Sequence, residues 1–243
     1  MIRIAFQSLE CYSFFVEIRH NDRRLAQAVA TKAAVVEAAR QLFLSKGYVA
    51  TTIGAVAEQA GVAVQTIYNS VGNKAALLSA VVDATAAGPD APRSVPETMR
   101  ERTAAAADAG AVLALLADWF AEVNPRSTQL FTVMRQASAV DAEAAKVERD
   151  RAETRLRNYA EAAAALRRRG ALSSGMSDEQ AAAVIWSVGH PDTYRSLVLD
   201  FAWGLDATGI GSTLRSRRPS RSFSTCCFPL PPRPSSSGFP ATS

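Results

Sequence analysis

From residue 31 onward, apolar side chains recur every three to four positions, the spacing that gathers them on one face of an α-helix. Across residues 31–46 they are Val35, Val36, Ala39, Leu42 and Phe43. Thr31 is placed to cap that helix and Gly47 to end it. The next stripe spans only two turns. Thr51 or Thr52 caps it, Ile53, Val56, Ala57 and Ala60 face inward, and Gly61 supplies the positive φ of a sharp turn. A second short segment, residues 63–69, turns Ile67 inward beside Val62. Asn73 caps a third, whose inward face is Leu77, Leu78, Val81 and Val82.

Residues 88–96 (GPDAPRSVP) break the pattern and read as a connection between domains. Helical spacing resumes over 97–123 in two pieces, divided near residues 108–110. The Asn124-Pro125 dipeptide is expected to stop that run, because the residue before proline is pushed out of helical geometry. Residues 127–140 form another amphipathic piece, with Leu130, Phe131 and Met134. Asp141 then caps a long helix to Arg169, with Gly170 as its stop. Within it, Glu143 with Lys146, Glu148 with Arg151, and Glu153 with Arg157 read as a solvated, ion-paired face. Ser177 and Gln180 have capping-box spacing, and Pro191 with Asp192 opens a last helix through Leu199. The expected fold is all-α, a short-helix head followed by a helical body.

Composition agrees with a helical fold and narrows the chemistry. Alanine makes up roughly a fifth of the chain and strand formers are sparse. Three Cys and two His, without ligand spacing, provide no metal site, disulfide framework or cofactor anchor. No stretch is long and apolar enough for a membrane span, and Glu10 interrupts a signal-peptide pattern. The expected setting is therefore a reducing cytoplasm. The formal net charge of +4 is distributed unevenly. Residues 19–74 hold seven basic and three acidic groups, residues 75–214 hold 14 basic and 18 acidic, and residues 215–243 hold five Arg and no acid. A basic head on an acidic body suggests a nucleic-acid-facing module attached to a part with other duties.

Two short helices joined by a glycine turn and braced by a preceding helix make a helix-turn-helix. The second helix enters the major groove, where the four base pairs present distinct donor and acceptor patterns. Val64, Gln65 and Thr66 stand on its outer side, with Tyr68 and Asn69 near its end. Gln bonds adenine bidentately, and Val and Thr methyls suit the thymine methyl. The stretch TTIGAVAEQAGVAVQTIYNSVGNKAALLSAVV resembles the DNA-binding domain of the TetR family of bacterial transcriptional repressors. The resemblance rests on Thr52, Ile53, Val56, Ala57, Ala60, Gly61, Val62, Thr66, Ile67, Tyr68, Gly72, Lys74, Leu77 and Leu78. It implies phosphate contacts from Thr52, Tyr68 and Lys74 and base contacts from Val64, Gln65 and Thr66. It also implies a homodimer on a palindromic operator, released by a small-molecule effector. The chain departs from the family's habit at two sites: Ala63 stands where Ser or Thr is common, and Ser70-Val71 where His-Phe is common.

The division expected is an N-terminal extension 1–22, a DNA-binding domain 23–86, a linker 87–96, a regulatory and dimerisation domain 97–206, and a basic Ser/Pro/Arg tail 207–243. Trp119, Phe120, Phe131, Met134, Trp186 and Tyr194 are candidates for an apolar effector pocket, with plain core packing as the alternative. His190 beside Pro191 reads as a capping or turn residue. The extension reads either as an over-long start or as an extra helix or arm. The tail reads either as a non-specific DNA-binding arm or as an out-of-frame segment. One nucleotide inserted after the Asp206 codon would permit Arg-Tyr-Arg-Asp-Trp-Val-Asp, a helical string like the family's last helix, and its loss would weaken the dimer. Two rival functions stand beside this one: a non-specific DNA-coating protein driven by the tail, and an all-α enzyme using Asp118 and Glu122. The enzyme reading lacks a convergent acid–base or nucleophile set.

Overall fold

The computed structural model of the chain describes residues 5–88 and 95–203, with side chains from residue 23 onward. All side chains of the N-terminal extension, the middle of the linker and the whole tail lie outside what is described.

The first helix, α1 (Ala5–Ala50), starts far earlier than residue 31. Thr31 lies within it and is not an N-cap. No Gly or Pro occurs before Gly47, so nothing in the sequence interrupts the helix. Gly47 does interrupt it, with φ 75° and ψ 176°. Then follow α2 (Ile53–Ala60), α3 (Val64–Ser70) and α4 (Lys74–Ala87). The Thr52 side chain accepts from the Ala55 N–H, Gly61 adopts φ 67° and ψ 34°, and the Asn73 side chain accepts from the Ala76 N–H. A seven-residue helix such as α3 is too short to persist by itself in water. Ile67, fully buried, anchors it in the core.

The body comprises α5 (Val95–Ala105), α6 (Ala109–Ser138), α7 (Ala142–Arg168), α8 (Asp178–Val188) and α9 (Pro191–Tyr194), the last running into a π-helical turn, Arg195–Asp200. Asp108 caps α6, Asp141 caps α7, and Ser177 with Gln180 forms the full reciprocal box at α8. No strand occurs among the described residues.

The expected stop at Asn124-Pro125 does not occur, and α6 runs through both residues. A proline inside a helix costs roughly 3 kcal/mol through its missing N–H and a clash one turn back. Against that, α6 buries Val112, Leu115, Leu116, Phe120, Val123, Leu130, Val133 and Met134, each contributing about 1.5–3 kcal/mol. Burial decides the outcome. The Pro125 ring lies on the exposed side. Around it, the Ser127 and Thr128 hydroxyls donate to the Val123 and Asn124 carbonyls, each at 2.7 Å.

One apolar core runs without a break from head to body. Val35, Ala39 and Phe43 of α1, Val56 of α2, Ile67 of α3 and Leu77, Leu78 and Val81 of α4 pack with Leu130, Val133, Met134 and Ala137 of α6 and Ala144 of α7. A second cluster joins α6 to α7 through Val112, Leu116, Phe120, Ala162 and Leu166. A third joins α7 to α8 through Ala163, Ala181 and Ala182.

Where α8 ends, Gly189 lies directly against the Phe120 ring, and a Cβ there would fall well inside contact distance. The buried Asn124 amide also donates to the Gly189 carbonyl at 3.5 Å. Gly189→Ala is therefore expected to destabilise the fold by about 1–3 kcal/mol through overpacking. Denaturant unfolding compared with an exposed control, Gly175→Ala, checks this; equal stability of the two variants would contradict it.

Candidate nucleic-acid interface and ligand cavity

The head presents α3 with its apolar side down and its polar side out. Val64 is 43% exposed and Tyr68 49% exposed, and Gln65 and Asn69 are exposed beside them. Thr66 is half-buried. Gln65 Nε2 donates to Asn69 Oδ1 at 2.9 Å, an i,i+4 bond that orients both amides along one edge of the helix. Gln65 Oε1 and the Asn69 amide hydrogens remain for a base edge. Ala63 supplies no side-chain cap, as its identity requires. Thr52 uses its oxygen as the α2 cap and keeps its hydroxyl hydrogen for an acceptor outside.

Lys74, at the first position of α4, does not extend freely. Its ammonium lies 4.1 Å from the Tyr48 ring centroid and 3.4 Å from the Val49 carbonyl. Burial lowers its pKa from the ordinary lysine value, partly countered by Asp141. Tyr48 stacks on Phe43 at 5.9 Å, and its hydroxyl donates to Asp141 Oδ2 at 2.5 Å. Asp141 is the residue that caps α7. Its pKa is held below the usual carboxylate value, first by the Tyr48 hydroxyl, against some desolvation, and further by the Ala144 and Glu143 N–H groups and Lys74. One ring and one carboxylate thus tie the end of α1 to the start of α7.

The head is tied to the body a second time, through α4. Arg151 of α7 donates to Ser79 Oγ at 2.9 Å and to Asp83 Oδ1 at 2.7 Å. Arg126 of α6 donates to the Ala86 carbonyl at 2.6 Å, a cation placed at the negative end of the α4 dipole. Arg151 is therefore not paired with Glu148 on an outer face. Lys146 likewise pairs with Asp150 at 2.9 Å, whereas Arg157 does meet Glu153, at 3.8 Å.

Between α4, α5, α6 and α7 lies a cavity of about 1000 Å³. Ser79, Asp83, Ala86 and Ala87 of α4 form part of its wall, and Met99, Leu116, Trp119, Phe131 and Tyr159 give it an apolar interior. A smaller cavity of about 260 Å³ adjoins it, lined by Phe131, Met134, Trp186 and His190 among others. The sequence candidates divide accordingly: Trp119 and Phe131 line the large cavity, and Phe131, Met134 and Trp186 the small one. Phe120 and Tyr194 line neither cavity and are buried in packing. His190 caps α9, its Nδ1 accepting from the Asp192 N–H at 3.1 Å. Burial lowers its pKa, and Arg155 adds to the effect. Glu122 is engaged by Arg126 at 2.8 Å, and no cluster of three potential metal ligands occurs among the described residues.

Arg155 was hidden in the charge run. Its guanidinium lies over the Phe131 and Trp186 rings at 5.1 and 5.5 Å, and its Nε is buried without an acceptor. Cation–π contact returns about 2 kcal/mol when desolvated, less than the several kcal/mol of desolvating an ion. Periodicity held the signal. Ala144, Val147, Arg151, Arg155, Ala162 and Leu166 recur on one face of α7, so two arginines fall on its inward stripe.

The described chain is a head with a glycine-turned helix pair, seated on a cavity-bearing helical body. Residues 35–81 match the family model of bacterial regulatory proteins, tetR family, and the head is similar to that family's domain over this stretch. Among solved structures, NalD, the secondary repressor of the MexAB-OprM multidrug efflux pump in Pseudomonas aeruginosa, is 19% identical. The match covers 77% of this chain and 95% of NalD, with a TM-score of 0.61. A protein described as a TetR-family transcriptional regulator from Mesorhizobium loti is 18% identical over 77% of this chain and 94% of its own, with a TM-score of 0.57. FadR from Bacillus subtilis, solved in complex with stearoyl-CoA, is 19% identical over 76% of this chain and 97% of its own, also with a TM-score of 0.57. At these identities the likeness is one of fold. Among curated proteins, none matches the sequence. No described helix is long and apolar enough to cross a membrane.

The tie between Tyr48 and Asp141 has a measurable consequence. Tyr48→Phe is expected to cost about 1.5–3 kcal/mol at pH 7, the value of a hydrogen bond to a charged group. Asp141 has a depressed folded-state pKa, so its contribution is complete above its unfolded value near 3.8 and is lost as pH falls through the folded value. The stability gap between parent and variant should therefore narrow below about pH 4. Urea unfolding at pH 7 and pH 3 measures it; a gap that stays constant would remove Asp141 as the partner.

Proposed function

We propose that the chain is a ligand-responsive transcriptional regulator, a repressor that binds a palindromic operator as a homodimer and is released by a small molecule held in the body. The observation that carries this reading is the double duty of α4. Its first turn carries Lys74 against the reading head, and its last turns form a wall of the large cavity. A molecule filling that cavity must press on the helix that supports α3. The head is assigned to residues 23–86 and the regulatory body to 97–206, joined through 87–96.

In this reading Thr52, Tyr68 and Lys74 bind phosphates and fix the register of α3, while Val64, Gln65, Thr66 and Asn69 meet base edges. Trp119, Phe131, Met134 and Trp186 surround the effector. A helix of seven residues reads only a few base pairs, so two linked heads on a two-fold operator supply the needed specificity. Val184 and Val188 of α8 are exposed apolar residues on the body, which suits burial against a second copy. The existence of ligand-bound regulators with this fold supports the cavity's role.

The decisive experiment begins with the intergenic DNA beside the gene, searched for an inverted repeat that the purified protein protects. On that repeat, Gln65→Ala should weaken binding by about 1–3 kcal/mol and relax preference at one position in each half-site. Lys74→Ala should instead weaken specific and random duplexes alike and reduce the salt slope by about one. Fluorescence anisotropy at several salt concentrations separates the two. Equal losses on operator and random DNA for Gln65→Ala would remove it from base reading, and no preference for any repeat would overturn the regulator reading.

A further inference from the structure

Arg155 stands where the two cavities meet and lines both. Its guanidinium lies over the Phe131 and Trp186 rings, and its Nε meets no acceptor. The carboxylates around it are committed to other cations: Asp192 to Arg135, Asp83 to Arg151, Asp150 to Lys146 and Glu161 to Arg100. Glu148 and Asp192 act on Arg155 only from beyond ion-pair distance. A guanidinium does not deprotonate in a protein, so its charge persists beside the apolar side chains of Leu116, Trp119 and Phe131, while the acidic lining residues Asp83, Asp150 and Glu161 are held by other cations. Such a group is stabilised by an arriving anion, with the flanking rings excluding water from the pair.

We propose that the cavity takes an amphipathic organic anion, its carboxylate or sulfonate seated on Arg155 and its apolar body against Leu116, Trp119 and Phe131. Arg100 and Arg151 are already paired, and Arg168 is exposed, which leaves the half-buried Arg155 as the one cation for one anionic head. A monoanion fits that count and a polyphosphate does not. The chamber's volume of about 1000 Å³ accommodates a substantial apolar body. This assignment rests on the regulatory reading only for what binding accomplishes. Occupancy itself is measured without DNA, so the two fail separately.

The test uses two fluorescent probes with the same rings, 1-anilinonaphthalene-8-sulfonate and the uncharged N-phenyl-1-naphthylamine, titrated into the full chain. The parent should bind the sulfonate about tenfold or more tightly than its neutral counterpart, the preference expected of a charge-assisted hydrogen bond. Dodecanoate should displace the sulfonate, and dodecanol should not at equal concentration. Arg155→Met should abolish the preference while leaving the neutral probe bound. Arg157→Met, the same charge change on the outer side of α7, should keep it. If the methionine variant fails to fold, the parent's own probe preference and its displacement by dodecanoate still decide the matter. Equal binding of the two probes by the parent, or an unchanged preference in Arg155→Met, overturns the proposal.

Discussion

The structure depends on α4 belonging to two packing units at once. Leu77, Leu78, Val81 and Val82 are buried in a core that contains Ile67 from α3 and Leu130, Val133 and Met134 from the body. α3 has too few residues and one fully buried side chain, so it holds its geometry only because that core is intact. A displacement of α4 therefore cannot be confined to the body. Close-packed interiors transmit small shifts, since a void or an overlap costs energy on either side of the contact.

Polar ties give this coupling direction. Tyr48 joins the end of α1 to the cap of α7, Arg151 joins α7 to the middle of α4, and Arg126 closes the C-terminal end of α4. Each crosses between head and body, and each lies at the edge of the core and not inside it. Apolar packing sets how strongly the two parts adhere, whereas the directional bonds set the angle at which they meet. The large cavity opens beside the same stretch of α4, with Ser79 and Asp83 serving as both lining and anchor. Occupancy of the cavity and orientation of the head thus share the same residues.

Much of this was legible along the chain. The caps at Thr52, Asn73, Asp141 and Ser177, the left-handed turns at Gly61 and Gly170, and the inward stripe ending in Ile67 are local features, settled by side chains within four residues of one another. Pro125 was misread because its local rule is sound but is opposed by burial along thirty residues of α6. Thr31 was misread because a good cap residue does not start a helix when nothing upstream ends one. Arg151 pairs with Asp83 and not with Glu148 because the spacing rule for ion pairs describes an exposed face, and Arg151 lies on the inward stripe of α7, whereas Arg157 on the outer face does meet Glu153.

What the sequence determined by itself is the helix-turn-helix head: its helices, its sharp turn, and the outward set of Val64, Gln65, Tyr68 and Asn69. Those follow from spacing and backbone preference, which act between near neighbours. Tertiary structure decided everything that joins distant segments, above all the partnership of Tyr48 with Asp141, the commitment of Arg151 to Asp83, and the position of Arg155 over two rings. Such contacts span tens of residues, and the free energy of a charge is set by what folding places beside it, which no local pattern specifies.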